Sequence, residues 1–152
     1  MEYHKKLPTE EVLNEFARLV ARHLATPLVI YLQGPLGAGK TTFVRALIQA
    51  MGYQGRVKSP TYGLLERYEI NDLCAVHLDL YRVAHEGELE FLALRDMFNN
   101  ATVWLIEWPD KGGSEIPAAD IEIRFAESVV DRALTVKGLS RAGDALISAL
   151  SS

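Results

Sequence analysis

Residues 34–41 read Gly-Pro-Leu-Gly-Ala-Gly-Lys-Thr and fit the pattern G-x-x-x-x-G-K-[ST] without departure. At background residue frequencies such a match arises by chance in roughly one of a few hundred chains of this length. The flanking residues narrow it further. Leu28-Val29-Ile30-Tyr31-Leu32 is a short apolar run of strand formers, apolar on both sides like an inner parallel strand. After the motif, Phe43, Val44, Leu47, Ile48 and Met51 recur at helical spacing until Gly52 closes the run. Strand, glycine-rich loop and helix in that order predict a phosphate cradle. The loop must wrap an anion with its own N–H groups, at distances and in conformations that a Cβ would block. The helix behind it adds about half a positive charge at its N-terminus. Gly34, Leu36, Gly37, Ala38, Gly39, Lys40, Thr41 and Thr42 are therefore candidate nucleotide contacts. Lys40 would meet the β/γ-phosphates as a point charge, and the Thr41 hydroxyl can ligate Mg²⁺. A plain strand-to-helix turn with an exposed lysine is the competing explanation.

A nucleoside triphosphate site also needs carboxylates, to hold Mg²⁺ and an attacking water. Two further runs offer them. In Val76 to Arg82, alternation puts His77, Asp79 and Tyr81 on one face and apolar residues on the other. That pattern suits the carboxyl end of a strand beside a ligand crevice, although a half-exposed edge strand would look the same. Thr102-Val103-Trp104-Leu105-Ile106 is a second buried-type strand, and it ends on Glu107. Asp79 and Glu107 are the candidate metal carboxylates, with Glu107 alternatively a capping or surface residue. Ser59-Pro60-Thr61 follows the phosphate-loop helix, where many P-loop hydrolases keep a switch threonine, so Thr61 joins the candidates. Arg56 and Lys58 beside it suit phosphate or RNA contact, or simply solvent. Asp110-Lys111-Gly112-Gly113 reads as a turn, and Cys74 as a buried, inert thiol.

The rest of the chain fits around this centre. Thr9 caps a predicted amphipathic helix over 9–24, with Glu10 and Glu11 at its positive end. Runs at 62–70 and 73–80 flank Asn71-Asp72 and predict a hairpin. Glu86 to Leu94 reads as a short helix with Leu89, Leu92 and Phe91 inward. Ile121 to Phe125 alternates and pairs plausibly with Arg132 to Val136, and Ser140 opens a last helix. The fold class expected is α/β, a P-loop NTPase-like mixed and largely parallel sheet flanked by helices, in a single domain spanning 1–152.

Composition sets limits on partners. The chain has 152 residues, 49% of them hydrophobic, which suffices for one core and excludes a disordered class. No apolar stretch approaches the 18 or so residues of a membrane span. One cysteine and an N-terminus without an apolar signal core predict a reducing, cytoplasmic setting. The net charge of −4 argues against gripping nucleic acid by charge alone. It hides an asymmetry: residues 1–58 hold eight Lys/Arg against four Asp/Glu, and residues 59–152 hold eight against sixteen.

Taken together, GPLGAGKTT at 34–42, Ser59-Pro60-Thr61-Tyr62, His77 to Arg82 and Ile106-Glu107-Trp108-Pro109 resemble, in that order, the TsaE family. This family, also called YjeE, comprises small bacterial P-loop ATPases of tRNA threonylcarbamoyladenosine synthesis, and the likeness covers roughly residues 7 to 126. The resemblance implies an ATPase using ATP and Mg²⁺ that acts with the TsaD and TsaB proteins. Those proteins transfer a threonylcarbamoyl group to the adenosine beside the anticodon, so tRNA would be met indirectly. It also implies Lys40, Thr41 and Thr42 at the phosphates and Mg²⁺, Thr61 in a switch segment, Asp79 near Mg²⁺, and Glu107 with Trp108 on the γ-phosphate side. On this reading Lys40, Glu107 and Thr61 serve catalysis, Glu107 positioning the water and Asp79 the metal, roles that could be exchanged. Arg82 is a candidate arginine finger unless a partner supplies what is missing. The free form is expected to be a monomer. A small-molecule P-loop kinase and a nucleotide-gated binding module with incidental hydrolysis are the rival readings. The chain lacks N-K-x-D, so a GTPase has nothing to read guanine with.

Overall fold

The structure, a computed structural model, describes residues 1–58, 64–128 and 130–152. Within them one sheet contains β1 (Glu2–Lys6), β2 (Leu28–Gln33), β3 (Leu65–Ile70), β4 (Leu73–Asp79), β5 (Thr102–Glu107), β6 (Ile121–Phe125) and β7 (Ala133–Gly138), in the order β1-β7-β6-β2-β5-β4-β3. β6, β2, β5 and β4 pair in parallel, whereas β1–β7, β7–β6 and β4–β3 are antiparallel. Five strands therefore point one way and β7 and β3 oppose them, giving the mixed, largely parallel α/β sheet expected.

Three α-helices cover one face: α1 (Glu10–His23), α2 (Lys40–Ala50) and α3 (Arg141–Leu150). In α1 the Thr9 hydroxyl accepts from Val12 N at 3.2 Å, and Leu13, Phe16, Ala17 and Val20 turn inward. Phe16 meets Phe43 of α2 at a ring separation of 5.7 Å, over Ile30, Leu32 and Leu105 of the sheet. Each such side chain removed from water stabilises the fold by about 1.5–3 kcal/mol. This layer fixes α2 against β2 and so fixes the loop between them.

The opposite face differs from expectation. Val76, Leu78, Trp104 and Ile106 are covered there by Leu89 and Leu94, which lie on 3-10 turns spanning Glu86–Leu92 and Leu94–Met97. Glu86 to Leu94 is thus not an α-helix. With three residues per turn, Leu89 packs inward, and Phe91 stands 90% exposed instead of inward. β4 is an inner strand, which excludes the edge-strand reading of His77, Asp79 and Tyr81. β1 was not anticipated; its residues alternate in exposure along the sheet margin, paired to β7 only. The hairpin partner of β4 is described from Leu65 on, and 62–63 lie outside the described residues. Asp110 to Gly113 is a turn region, as read, with 3-10 turns at Pro109–Lys111 and Gly113–Glu115.

Candidate functional site

β2 is the switch point of the sheet, with β5 on one side and β6 on the other, and ligand crevices of open α/β sheets form beyond the carboxyl ends of such strands. Register aligns three of those ends: Glu107 is the partner of Leu32 on β2 and of Asp79 on β4. A cavity of about 380 Å³ opens there. Its walls bring together Leu36 to Thr42, Asp79, Tyr81, Glu107 and Trp108, and they also include Leu7, Thr9, Glu10, Leu13 and Arg132.

The loop's shape follows from its glycines. Gly34 has φ 147°, and a Cβ there would lie 2.9 Å from Phe125 Cβ and 3.1 Å from the Phe125 carbonyl oxygen. Gly39 caps α2 at φ 112° with no side chain between the helix N-terminus and the cavity. The next residue, Lys40, is only 4% exposed. Its ammonium donates to the Gly34 carbonyl at 2.6 Å and stands 3.8 Å from the Trp108 ring centroid. Burial pulls the Lys40 pKa below its ordinary value, opposed by the charges of Glu107, Asp79 and Asp110. Trp108 leaves β5 at φ 56°, a left-handed conformation that costs about 1–3 kcal/mol at a bulky residue. Pro109 behind it disfavours the right-handed alternative, and the ring packs on Tyr81 at 5.1 Å.

Glu107 is 2% exposed, which excludes the surface-residue reading. His77 Nε2 lies 2.7 Å from Glu107 Oε2, and the Thr41 hydroxyl is 3.4 and 3.5 Å from the two carboxylate oxygens. The Asp79 carboxylate accepts from Tyr81 N at 3.1 Å. Its pKa is raised, by desolvation first and by Glu107 second.

The anticipated loop residues Leu36, Gly37, Ala38, Gly39, Lys40, Thr41 and Thr42 thus meet Asp79, Glu107 and Trp108 in one cavity. Gly34 stands behind it, offering its carbonyl to Lys40 and lining a neighbouring groove with Pro35 and Arg124. Arg82 is exposed and does not line the cavity. Thr61, with Ser59, Pro60 and Tyr62, lies outside the described residues. Sequence reasoning placed His77 on the Asp79 face but missed its pairing with Glu107, and it missed Leu7, Thr9, Glu10, Leu13 and Arg132 in the cavity wall. A polar His at an inward position of β4 signals that a partner is needed but not which one; nothing local signalled the wall residues.

The donor set suits the ligands the loop implies. Hydroxyl and carboxylate oxygens are hard donors, and Mg²⁺ usually takes one or two carboxylates, leaving its other positions to phosphates and water. No cluster of three or more His, Cys, Asp or Glu able to hold a metal by itself occurs among the described residues. The family model described as "Threonylcarbamoyl adenosine biosynthesis protein TsaE" matches residues 7–134. The chain belongs to the TsaE family. A TsaE relative from Haemophilus influenzae, named a tRNA threonylcarbamoyladenosine biosynthesis protein, is 42% identical over 139 residues, covering 91% of this chain and 88% of the relative. A TsaE relative of the same name from Bacillus subtilis is 34% identical over 113 residues, covering 74% and 70%. The crystal structure of Bacillus subtilis YdiB shares the fold, with a TM-score of 0.78 at 23% identity over 99% of this chain and 95% of that one. No helix among the described residues of this TsaE family member is long and apolar enough to cross a membrane.

Proposed function

We propose that this chain is the ATP-hydrolysing, Mg²⁺-dependent component of the tRNA threonylcarbamoyladenosine machinery, acting with TsaD and TsaB to sustain threonylcarbamoyl transfer to the adenosine beside the anticodon. It is not itself the transferase, and it meets tRNA through the complex in the cytoplasm. One observation carries the reading: Lys40 and Thr41 of the phosphate loop share a cavity with Glu107 and Asp79. The relatives' names supply the tRNA modification, and the cavity supplies the phosphate chemistry.

The chemistry asked of the residues is positioning and charge neutralisation. The loop amides and the α2 N-terminus hold the phosphates. Lys40 exchanges the Gly34 carbonyl for phosphate oxygens, and Trp108 walls its ammonium from solvent. Thr41 and Asp79 offer oxygens to Mg²⁺, which when bound neutralises charge on the β/γ-phosphates. Glu107 orients the water for in-line attack. Thr61 remains the candidate switch threonine. The remaining wall, with apolar Leu7 and Leu13 and with Arg132, is left for the nucleoside.

Arg82 stands outside the cavity, so transition-state charge on the γ-phosphate has no arginine finger from that residue. A partner would supply or organise it, making the free monomer a slow hydrolase. The test is phosphate release from Mg-ATP by the chain alone and with TsaD and TsaB, alongside ATP-dependent co-purification of the three. Expected are slow release alone, and association and altered turnover with partners. An unchanged rate together with no ATP-dependent association would sink the proposal, and transfer of phosphate to an added metabolite would favour the kinase reading.

A further inference from the structure

His77 is fully buried in the middle of the sheet, and neither the phosphate loop nor the carboxylate pair accounts for it. Its Cα partner on β5 is Leu105, so Glu107 is its diagonal neighbour, one step nearer the carboxyl end on the same face. The ring spans that diagonal and brings Nε2 to 2.7 Å from Glu107 Oε2. The other ring nitrogen, Nδ1, is buried with no hydrogen-bond partner among the described residues.

That asymmetry decides which nitrogen carries the proton. A carboxylate only accepts, so an Nε2–H facing Glu107 makes a charge-assisted bond. A proton on Nδ1 instead would be a buried donor with no acceptor among the described residues, and Nε2 would face the carboxylate lone pair to lone pair. A bare Nδ1 lone pair strands no donor and leaves the Nε2–H bond to Glu107 intact. The histidine therefore lends Glu107 its one short side-chain donor among the described residues, since the Thr41 hydroxyl at 3.4 Å is at the long limit of such bonds.

We propose that His77 is the positioning residue of this site: its Nε2–H holds Glu107 Oε2 and so fixes the direction in which the carboxylate faces the phosphate cavity. His77 itself does not line the cavity. A carboxylate left without this donor is free to rotate toward Lys40 or Thr41, and its aim at the cavity is lost. Supporting residues of this kind are worth about 10-fold to 100-fold in activity or metal affinity where measured. The inference rests on the proposed role of Glu107 for its effect on turnover, but its geometric content stands apart from that role.

Two isosteres test it. The amide nitrogen of glutamine can occupy the place of Nε2, whereas that of asparagine lies near Nδ1. His77→Gln should keep kcat for Mg-ATP within about threefold of the parent, and His77→Asn should lower it by about 10-fold to 100-fold with KM within about threefold. His77→Asn should also melt below His77→Gln, because it loses a methylene and leaves the buried Glu107 carboxylate without its donor, so kcat is compared at a temperature where both variants are folded. Equal kcat in the two folded variants overturns the proposal. A second readout needs neither activity nor a folded variant: long-range ¹H–¹⁵N correlation of the histidines in the nucleotide-free parent protein. A proton on His77 Nε2 supports the assignment, and a bare Nε2 overturns it. Should the parent hydrolyse no ATP, the proposed function fails, while this spectrum still decides the geometry.

Discussion

The Lys40 ammonium stands 3.8 Å from the centroid of the Trp108 ring while it donates to the Gly34 carbonyl at 2.6 Å. A cation this well covered is attracted to an indole face by about 2 kcal/mol or more, against about 0.5–1 kcal/mol at an exposed site. A double-mutant cycle with Lys40→Met and Trp108→Leu, read by urea unfolding of the nucleotide-free proteins, should show coupling of about 0.5–2 kcal/mol. Coupling near zero would mean that the ring and the ammonium are neighbours without consequence.

Glu107 and Lys40 should fail in different ways. Glu107→Gln keeps the shape of the buried side chain and leaves the loop untouched, so ATP affinity should stay within a few-fold of the parent. Its kcat should fall by about 10²–10⁴, the range for a lost acid–base or positioning group. Lys40→Ala removes the phosphate contact itself and should weaken ATP binding by at least about tenfold. Calorimetric titration with a non-hydrolysable ATP analogue, next to single-turnover hydrolysis, separates the two; equal losses of affinity would contradict the assigned roles.

The parts of this fold that were legible are those whose signal is local. The phosphate loop announces itself because its glycines, Lys40 and Thr41 act within one turn of chain, and Glu107 follows its own apolar strand. The pair of His77 with Glu107 was illegible because it depends on the parallel register of β4 against β5, which no short window contains. β1 was illegible for the opposite reason: Glu2 to Lys6 is an edge strand in which little is buried, so alternation leaves almost no apolar mark. Phe91 was misplaced because 3-10 turns replace the 3.6-residue period on which an inward position was reckoned. Leu7, Leu13 and Arg132 meet at the cavity only through the pairing of β7 with β1, whose ends set the α1 start beside the loop.

Asp79 carries a pH signature. Its carboxyl is held above the usual carboxylate value by burial and by Glu107. A carboxylate whose folded pKa is raised favours the folded state below its unfolded pKa, about 3.9, and loses that contribution as pH rises through the folded value. Asp79→Asn keeps an oxygen to accept from Tyr81 N and removes the charge. The nucleotide-free variant should therefore melt above the parent at pH 7, with the gap closing as pH falls through the raised folded value toward about 4. Mg²⁺-dependent ATP binding should weaken in the same protein, a gain of stability at the expense of function. A gap that is unchanged between pH 7 and pH 4 would remove Asp79 as its source.

Gly34 and Gly39 both adopt positive φ, but the space beside them differs. An added Cβ at Gly34 would stand 2.9 Å from Phe125 Cβ and 3.1 Å from its carbonyl oxygen, atoms that cannot move without shifting β6 or the loop. At Gly39 the nearest atom is Leu13 Cδ2 at 3.0 Å, the end of a side chain that can rotate away. Backbone strain of about 1–3 kcal/mol applies to both alanine variants. The steric part falls on Gly34→Ala, which should unfold at lower urea by at least about 1 kcal/mol beyond Gly39→Ala. Because the Gly34 carbonyl is the resting acceptor of Lys40, Gly34→Ala should also disturb the ammonium, whereas Gly39→Ala should act mainly through the start of α2. Urea unfolding of the two variants in parallel checks the order, and equal midpoints would show that Phe125 yields as easily as Leu13.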